Sequence, residues 1–422
     1  MLEVEVTAVG SAGDGIATLG DGRTVALPFT LPGERVTARE TGRRGEVVLA
    51  EAEAVLQPGP DRVAPPCRHF GICGGCALQH WAEAPYRAWK RRRLVEALER
   101  AGFADAPVGE CAPCPPRTRR RADLAIRQVA DGVAIGFHAR GDARVVDMRE
   151  CHVLHPTIFA LLEPLRTLVA KLRGFRREGS ALINLLDSGP DLLLRTDDAL
   201  TPGDRQLLAA FAAEHGVRRI AWAKGQDVPE MGAQTGTVGL RLGDATVAPA
   251  PGAFLQAAPE GEAAIVAAVI AGLPRKLPAK ARVADLYAGV GTISLPLSRH
   301  VRVEAFEGEA AAVAALSAGA NAAGARVTAK RRDLARQPLL LPELASYATV
   351  VLDPPFNGAA EQMALIARSK LRRVIYVSCN PAALARDAAL LRKANWRVEA
   401  ATPVDQFLWS PHLEAVVTFA QA

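Results

Sequence analysis

The chain has 422 residues, of which 49% are hydrophobic and 23% are charged, and its formal net charge is +6. This composition is ordinary for a soluble protein, and the length allows two to four domains with at least one sizeable core. No uncharged apolar stretch reaches the roughly 18 residues of a membrane span, and the first residues lack the basic start of a secretory signal, so a cytoplasmic enzyme is expected.

The positive charge fits a polyanionic partner such as RNA without proving one. Two basic runs carry much of it, Lys90–Arg93 and Arg117–Arg121. We expect a polyanionic partner to lie across both runs and the N-terminal part of the chain, although either run could instead be an ordinary solvated face.

Residues 1–57 are predicted to form a small β domain. Short runs of alternating apolar residues, such as EVEVTAV and ERVTARE, are separated by turn signals that include Gly13-Asp14-Gly15 and Leu31-Pro32-Gly33. About five short strands in this length are typical of a barrel of the oligonucleotide-binding (OB) type. Any other small β module would give the same alternation.

The next part of the chain, residues 58–259, begins with a proline-rich linker and a cysteine cluster. The segment YRAWKRRRLVEALERAG then predicts an amphipathic helix that ends at Gly102. From about residue 117 to 250, strand-like segments such as ARVVDM and helix-like segments such as PTIFALLEPLRTLVAKLRG follow one another without a βαβ rhythm. This pattern predicts a middle α+β domain.

From about residue 260 the pattern changes to regular strand–helix alternation. The strands ARVADLYA, RVEAFEG, ATVVLDPP and RRVIYVSC alternate with helical segments, among them GTISLPLSRH. Such alternation predicts a mainly parallel sheet with helices on both faces. The expected fold class is therefore multidomain α/β: an N-terminal OB-type β-barrel, a middle α+β domain, and a Rossmann-like sheet over residues 260–422.

A cofactor site is predicted at the carboxyl ends of these strands. Asp285-Leu-Tyr-Ala-Gly289-Val-Gly291-Thr292 follows a strand and opens a helix, where glycines let a ligand approach the backbone, although such a turn could also serve packing alone. Glu307 ends the next strand and can accept hydrogen bonds from both ribose hydroxyls of an adenosine-type cofactor. Because a dinucleotide site would need a third glycine, the turn favours S-adenosylmethionine.

Two further acids follow later strands. Asp333, after the third strand, could reach the adenine, and Asp353 follows the fourth in an Asp-Pro-Pro motif. In open sheets of this kind, ligands bind outside the carboxyl ends of the strands. Any one acid could be a solvated surface residue, but four strand ends with an acid or a glycine turn indicate a site.

Cys379 is the candidate nucleophile. It ends an apolar strand in Tyr-Val-Ser-Cys-Asn-Pro, where Asn380 and Pro381 break the strand and expose the thiol. A buried cysteine is more often a small hydrophobe. A thiolate of lowered pKa at this edge could add to C6 of a uracil, so that C5 attacks a sulfonium methyl group.

Such a reaction also needs a base that removes the C5 proton. Glu414 is the candidate, in a segment that also contains Asp405 and His412 as possible alternatives. Equally, Glu414 and His412 could mark the solvated start of an ordinary strand.

These motifs resemble those of the RNA uracil-C5 methyltransferase family, which makes 5-methyluridine in ribosomal and transfer RNA. YVSCNP is similar to its nucleophile motif and DQFLWSPHLEAV to its C-terminal motif, which implies that Cys379 is the nucleophile and Glu414 the base. The N-terminal part resembles a TRAM domain, an RNA-binding OB-type barrel. The resemblance implies that the contacts to S-adenosylmethionine are Gln256, Tyr287, Gly289, Thr292, Glu307, Asp333 and Asp353.

The chain departs from the family at four positions near these motifs. Thr292 and Ala258 stand where the family usually has Asn, and Ala288 replaces a common Cys. Phe356 follows Asp-Pro-Pro where Arg is typical. None of these changes removes the nucleophile or the base, but the last one bears on how the target base or the cofactor is positioned near Asp353, and with it on RNA specificity.

Seven cysteines, an odd number, argue against a disulfide framework and favour metal or catalytic roles. Spacing alone allows a zinc site in which Cys111 and Cys114 join the Cys67–Cys76 cluster. HFGICGGCALQH, however, is similar to the iron–sulfur motif of the ribosomal branch of the family, whose fourth cysteine lies in a segment like VVDMRECHVL. The resemblance therefore implies a [4Fe–4S] cluster on Cys67, Cys73, Cys76 and Cys151.

The expected function is methylation of C5 of a uridine in structured RNA, with ribosomal RNA favoured over transfer RNA, by a monomer. Two alternatives stay open at this point. One is a methyltransferase of the same fold that acts on a transfer RNA uridine or on another base. The other is a non-catalytic, metal-containing RNA-binding factor.

Overall fold

This computed structural model describes residues 2–421 of the chain. Across that range the strands form four sheets: a closed five-stranded barrel, a six-stranded sheet, a two-stranded sheet and a seven-stranded sheet. None of the helices in the range is long and apolar enough to cross a membrane.

The N-terminal barrel is built from short strands with alternating burial. Its strands are β1 Leu2–Val9, β2 Gly15–Thr18, β3 Thr24–Leu27, β4 Arg35–Arg44 and β5 Val47–Gln57. They close in the order β1-β2-β3-β5-β4. Val6, Val25 and Val36 fill the interior while their sequence neighbours face outward, as the period of two requires. The predicted barrel is confirmed.

One long helix, α1 (Glu83–Arg100), follows the barrel and the cysteine cluster. It is the helix predicted from the sequence, and Gly102 follows it in a left-handed conformation, with φ of 90°. Leu94 and Leu98 on its inner face are buried in the same core as the C-terminal sheet. The helix, which follows the N-terminal barrel in the chain, therefore packs against the C-terminal sheet.

The middle of the chain forms an α+β unit. Its strands are β6 Arg121–Val129, β7 Gly132–Gly136, β8 Glu178–Leu186, β9 Gly189–Thr196, β10 Arg219–Lys224 and β11 Glu230–Gln234. The sheet order is β11-β10-β9-β8-β6-β7. Its helices are α2 Pro156–Ala160, α3 Leu162–Val169 and α4 Pro202–Glu214. Ile158, Leu165 and Leu208 from these helices share one core with the sheet.

Two segments of this unit differ from their predicted structure. ARVVDM was expected to be a strand, but it forms an isolated bridge between His138 and Val145 and otherwise runs as a loop. PTIFALLEPLRTLVAKLRG was expected to be one helix, but it breaks into α2 and α3 at Leu161. Pro164 explains the break, because it has no N–H to donate to the carbonyl of Ala160.

The C-terminal sheet has seven strands. They are β14 Arg282–Leu286, β15 Arg302–Glu307, β16 Val327–Arg331, β17 Thr349–Leu352, β18 Arg373–Ser378, β19 Trp396–Val404 and β20 Glu414–Gln421. The two remaining strands, β12 Leu240–Leu242 and β13 Ala245–Val247, form a separate antiparallel ribbon. The large sheet has the order β16-β15-β14-β17-β18-β20-β19, in which β14 to β18 are parallel and β20 is antiparallel to its neighbours. The predicted mainly parallel sheet is confirmed.

Helices cover both faces of this sheet. They are α5 Pro259–Ala271, α6 Ser294–Leu297, α7 Ala310–Ala322, α8 Leu341–Leu344, α9 Ala360–Arg368 and α10 Pro381–Lys393. Successive residues of a strand enter opposite cores: Leu352 lies in one and Val351 in the other. The predicted helix GTISLPLSRH is shortened to α6, because the glycine turn before it extends to Ile293.

Candidate active site

The carboxyl ends of the parallel strands open into one cavity of about 510 Å³, which we call the strand-end cavity. Tyr287 and Gly289 follow β14, Glu307 ends β15, Asp353 follows β17 and Cys379 follows β18. Five of the predicted cofactor residues line this cavity, namely Gln256, Tyr287, Gly289, Glu307 and Asp353, and so do both predicted catalytic residues, Cys379 and Glu414.

Thr292 and Asp333 do not line the strand-end cavity. Asp333 is exposed, and its carboxylate accepts hydrogen bonds from the backbone N–H groups of Ala335 (3.1 Å) and Arg336 (3.3 Å), so it caps its own turn. Thr292 is half-buried in the turn that leads to α6. Their cofactor roles stay predictions.

The two glycines of the β14 turn have different tasks. A Cβ atom at Gly289 would meet no atom within 4 Å, whereas a Cβ at Gly291 would lie 2.4 Å from Cδ1 of Leu316. Gly291 therefore serves close helix–sheet packing, and Gly289 leaves the cavity wall open. Tyr287 also has positive φ, 63°, which is unusual for a residue with a side chain and common at functional sites.

Glu414 is a buried carboxyl with one free oxygen. Its Oε2 accepts a hydrogen bond of 2.7 Å from Nε2 of Gln406, and its Oε1 is buried without a partner among residues 2–421. Burial, and then the nearby charge of Asp353, raise the pKa of Glu414 well above its ordinary value. Such a group is suited to take up a proton.

Two glutamines connect Glu414 to Asp353. Nε2 of Gln406 also donates to Oε1 of Gln256 (2.8 Å), and Nε2 of Gln256 donates to Oδ2 of Asp353 (3.3 Å). The Oε1 atom of Gln406 accepts a bond from the N–H of Ala257 (3.1 Å), which fixes the orientation of the amide. Sequence reasoning missed Gln406, although the pairing of β19 with β20 would have placed it near Glu414.

Asp353 carries a perturbed carboxyl as well. Burial raises its pKa to about 7, although the hydrogen bond from Gln256 opposes this shift. Asp285, which is fully buried beneath the strand ends, has a pKa raised to about 7 by burial, despite a hydrogen bond from Ser294. The strand-end cavity is therefore an acidic pocket, in which a bound cation would be favoured.

Cys379 ends β18 immediately before α10, whose first residue is Pro381. Its thiol is half-buried, and burial together with Glu414 and Asp353 raises its pKa to about 11. We expected a lowered thiol pKa, and the structure shows the opposite, because the thiol is partly buried and its charged neighbours are carboxyls. The thiol is protonated at neutral pH in this state.

A second cavity, of about 550 Å³, meets the first at Cys379. We call it the junction cavity, because its wall comes from four parts of the chain. It is lined by Ala12 of the barrel, Gly74, Gly75, Cys76 and Ala77 of the cysteine cluster, Arg119, Phe137 and Arg140 of the middle unit, and Phe356, Cys379, Phe407, Ser410, Pro411 and His412 of the C-terminal part. Phe356, Cys379 and Phe407 line both cavities.

Comparison with known proteins decides the family. Residues 278–422 match the family model described as tRNA (Uracil-5-)-methyltransferase, and residues 1–41 match the TRAM domain model. An uncharacterized RNA methyltransferase of Brucella suis is 40% identical over 421 residues, which cover 99% of this chain and 98% of the relative. The chain belongs to the RNA uracil-C5 methyltransferase family.

Two further similarities refine this assignment. The 23S rRNA (uracil(1939)-C(5))-methyltransferase RlmD of Chromohalobacter salexigens is 36% identical over 416 residues, 96% of this chain and 86% of the relative. The Pyrococcus abyssi tRNA (uracil-54, C5)-methyltransferase, solved with S-adenosyl-L-homocysteine, has a TM-score of 0.77 and 22% identity, and the match covers 99% of this chain and 100% of that one. The chain is thus an S-adenosylmethionine-dependent RNA methyltransferase with the same fold.

In this methyltransferase the loop before β20 is held by buried side chains of α1. Asp405 pairs with Lys90 (2.9 Å) and accepts a hydrogen bond from the hydroxyl of Tyr86 (2.9 Å). Asp405 lines neither cavity at Cys379, so the geometry does not favour it as the base. His412 lines the junction cavity but not the strand-end cavity, where Glu414 lies.

The basic runs are largely structural rather than free to contact RNA. Lys90 is fully buried and also donates to the carbonyls of Phe407 (3.4 Å) and His412, while Arg93 donates to the carbonyl of Pro411. The expectation that Lys90–Arg93 forms an RNA-binding face is therefore wrong for these two residues, because they anchor the loop.

The second basic run divides in a similar way. Arg120 is buried in an ion pair with Glu262 and donates to the carbonyl of Gln256 (3.2 Å), so it cannot track a phosphate backbone. Arg119 lines the junction cavity, and the guanidinium of Arg121 lies over the ring of Phe254 at 5.5 Å. Of this run, Arg119 is the residue that faces the site.

The four predicted cluster cysteines of the methyltransferase line a single small pocket, together with Arg119. The N–H of Gly75 points to the sulfur of Cys73 (3.5 Å), and that of Leu154 points to the sulfur of Cys151 (3.4 Å). Across the part of the chain that the structure describes, no group of three or more His, Cys, Asp and Glu residues is arranged to hold a metal ion. The structure thus gathers the thiols without showing a metal site.

Cys111 and Cys114 lie elsewhere. Both are buried, neither lines the cysteine pocket, and Cys114 lines a separate groove that also contains Asp405. The zinc alternative, in which this pair completes the cysteine cluster, is therefore not supported by the geometry.

Proposed function

We propose that this enzyme methylates C5 of a uridine in large-subunit ribosomal RNA through a covalent bond between Cys379 and C6 of the base. The observation that carries the proposal is the position of Cys379 at the meeting point of the strand-end and junction cavities. One cavity fits the cofactor and the other fits a nucleotide, so a base inserted from the junction cavity would meet the thiol and the methyl group together.

The strand-end cavity fits S-adenosylmethionine by its chemistry. The cofactor is cationic, and the cavity is lined by Glu307, Asp353 and Glu414. We propose contacts from the five lining residues that the sequence predicted, and Thr292 and Asp333 stay more distant candidates. When bound, S-adenosylmethionine supplies an electrophilic methyl group and a positive charge beside buried carboxylates.

The residues of the chain perform the remaining steps. Once the Cys379 thiol has lost its proton to water, the thiolate forms a bond to C6 of uracil, and the electron pair of the C5–C6 double bond moves onto the C5–C4–O4 enolate. C5 then forms a bond to the methyl group, and the electron pair of the broken S–CH3 bond stays on the sulfur of the product S-adenosyl-L-homocysteine. Glu414 accepts the C5 proton, the electron pair of that C–H bond re-forms the double bond, and the thiolate leaves. Gln406 keeps one Glu414 oxygen occupied, so that the other one is available.

Ribosomal RNA is the favoured target because the RlmD relative, which its name assigns to 23S rRNA, spans nearly the whole chain. Transfer RNA is the competing target, because the matching family model carries that description. Incubation of the enzyme and labelled S-adenosylmethionine with each RNA class separately distinguishes them. Methylation of transfer RNA alone would overturn the ribosomal assignment.

A denaturing gel tests the covalent mechanism. Glu414→Gln keeps the side-chain shape but cannot act as a carboxylate base, so it should accumulate a slow-migrating protein–RNA adduct that already carries the labelled methyl group. Cys379→Ala should give neither adduct nor methylated RNA while it still binds the cofactor. Turnover by Cys379→Ala, or free methylated RNA at a near wild-type rate from Glu414→Gln, would contradict these roles.

We further propose that Cys67, Cys73, Cys76 and Cys151 hold a [4Fe–4S] cluster. Four thiols around one pocket are the donor set that such a cluster uses, and N–H groups directed at two of the sulfurs suit thiolate ligands. The methyl transfer itself needs no electron, so the group would connect the cluster segment to the middle unit.

Iron and sulfide analysis after anaerobic purification tests this site. About four irons per chain are expected in the wild type and in Cys111→Ser, and a loss of iron is expected in Cys151→Ser. Stoichiometric zinc without iron in the wild type would refute the proposal.

A further inference from the structure

Phe356 is a large apolar side chain exposed at the active site. It follows Asp353-Pro354-Pro355 after β17, lines both the strand-end and the junction cavity, and is 57% exposed. Full burial of a phenyl side chain stabilises a protein or a complex by roughly 1.5–3 kcal/mol, because apolar surface is removed from water. Single exposed apolar side chains are common on proteins, but Phe356 lies where two cavities meet, so its ring is placed to contact a ligand that enters either one.

The backbone beneath the ring is held firmly. Nδ2 of Asn380, the neighbour of the nucleophile, donates to the carbonyl of Phe356 (2.9 Å), and the N–H of Gly358 closes the turn to the carbonyl of Pro355 (2.7 Å). Gly358 has φ of 76°, and a Cβ there would lie 2.5 Å from the Asp387 carboxylate. The ring is thus attached to a fixed turn tied to the Cys379 loop.

The chemistry of the ring limits what it can recognise. A phenyl group neither donates nor accepts hydrogen bonds and carries no charge, so it cannot bind a phosphate. It can stack on the π-face of a nucleobase, an interaction worth about 1–3 kcal/mol per base and tolerant of base identity. The arginine typical of the family at this position would instead add charge.

We propose that Phe356 is the base-stacking residue of the RNA site, contacting a nucleobase of the substrate that enters the junction cavity beside Cys379. This inference rests on the proposed function. The stacking contact makes part of the RNA affinity independent of salt, because stacking, unlike phosphate contact, releases no counterions.

RNA-binding measurements in a Cys379→Ala background test the proposal without turnover, with a ribosomal RNA fragment that the wild-type enzyme methylates. Adding Phe356→Ala should weaken RNA binding about 5–150-fold, as loss of one stacked base predicts, and should leave the slope of affinity against salt unchanged. Phe356→Trp should restore the affinity, whereas Phe356→Leu, equally apolar but not flat, should not.

The controls separate this inference from the proposed function. Leu340→Ala removes another exposed apolar side chain, 55% exposed and outside both cavities, and should leave RNA affinity unchanged. Wild-type binding by Phe356→Ala or Phe356→Leu would overturn the stacking role, as would a loss confined to S-adenosylmethionine affinity. Absence of methylation by the wild-type enzyme on every RNA would instead overturn the proposed function.

Discussion

The two cavities that meet at Cys379 are assembled in different ways. The strand-end cavity takes its acidic groups mainly from the ends of neighbouring parallel strands, each a few residues from a recognisable motif. The junction cavity takes its wall from the barrel, the cysteine cluster, the middle unit and the loop of residues 405–412. The acidic groups of the first come mainly from one sheet, and the second exists because distant parts of the chain pack together.

Their charges differ as well. Carboxyls dominate the strand-end cavity, with Asp353 and Glu414 joined through two glutamines, whereas the guanidinium groups of Arg119 and Arg140 line the junction cavity, the latter paired with Asp14. An acidic wall favours a cationic cofactor and a basic wall favours RNA phosphates. The nucleophile thus lies at the boundary between two electrostatic environments. Its reactivity therefore depends on the molecules that occupy the strand-end cavity and the junction cavity.

The largest expected effect concerns the packing that creates the junction cavity. Lys90→Met leaves Asp405 buried without its cation and should lower the free energy of unfolding by about 3–5 kcal/mol, the usual cost of breaking a buried pair. Chemical denaturation measures this change.

The matched control is Arg92→Met, in the same run but exposed, which should change stability little. Lys90→Met/Asp405→Asn should recover part of the loss, because the uncompensated charge is gone. Equal stability of Lys90→Met and Arg92→Met would show that α1 does not anchor the loop.

A smaller effect, on the rate of proton removal, is expected from changing Gln406, which links Glu414 to Asp353 through Gln256. Gln406→Met keeps the volume but removes the hydrogen bond to Glu414, a bond to a charged group worth about 1.5–3 kcal/mol, so proton removal should slow about 10–150-fold. Rapid-quench samples on denaturing gels should then show a methylated protein–RNA adduct that decays slowly.

Gln362→Met provides a comparison, because Gln362 is also buried and bonds to both backbone groups of Leu339, but it lies outside the site. That variant should lose stability without accumulating adduct. The same adduct level in both variants would assign Gln406 a purely structural role.

The smallest expected effect is on the thiol itself. In the ligand-free enzyme, alkylation of Cys379 should rise toward pH 11, where the thiol ionises. Asp353→Asn removes a carboxylate that is charged above pH 7 or so, and the alkylation profile should shift to lower pH because the thiolate is no longer opposed by that charge.

Mass spectrometry of the Cys379 peptide after iodoacetamide treatment at a series of pH values gives this profile. Asp333→Asn is the control, since Asp333 also follows a strand of the sheet but lies outside the cavity. The alkylation profile could instead move to higher pH in Asp353→Asn, or move equally in both variants. Either result would contradict the claim that the Asp353 carboxylate raises the pKa of the Cys379 thiol.

The sequence by itself determined the elements and the strand-end motifs. Alternation with a period of two predicted the barrel, and strand–helix alternation predicted the parallel sheet, because burial of one or both faces leaves a local pattern. The carboxyl ends of parallel strands meet at one edge, so Glu307, Asp353 and Cys379 could be assigned to one site before their positions were known. Periodicity gave the wrong prediction in two places. Pro164 lacks the N–H that a continuous helix needs, and the ARVVDM segment makes only an isolated bridge instead of pairing as a strand.

Only the tertiary structure decided which charges are free and which are buried. Lys90 and Arg92 are indistinguishable in a basic run, yet Lys90 packs against a loop more than 300 residues away and Arg92 faces solvent. The junction cavity, the link from Gln406 to Glu414 and the high thiol pKa likewise arise from long-range contacts. No local pattern encodes them, because each depends on the surroundings that the whole fold gives to a side chain.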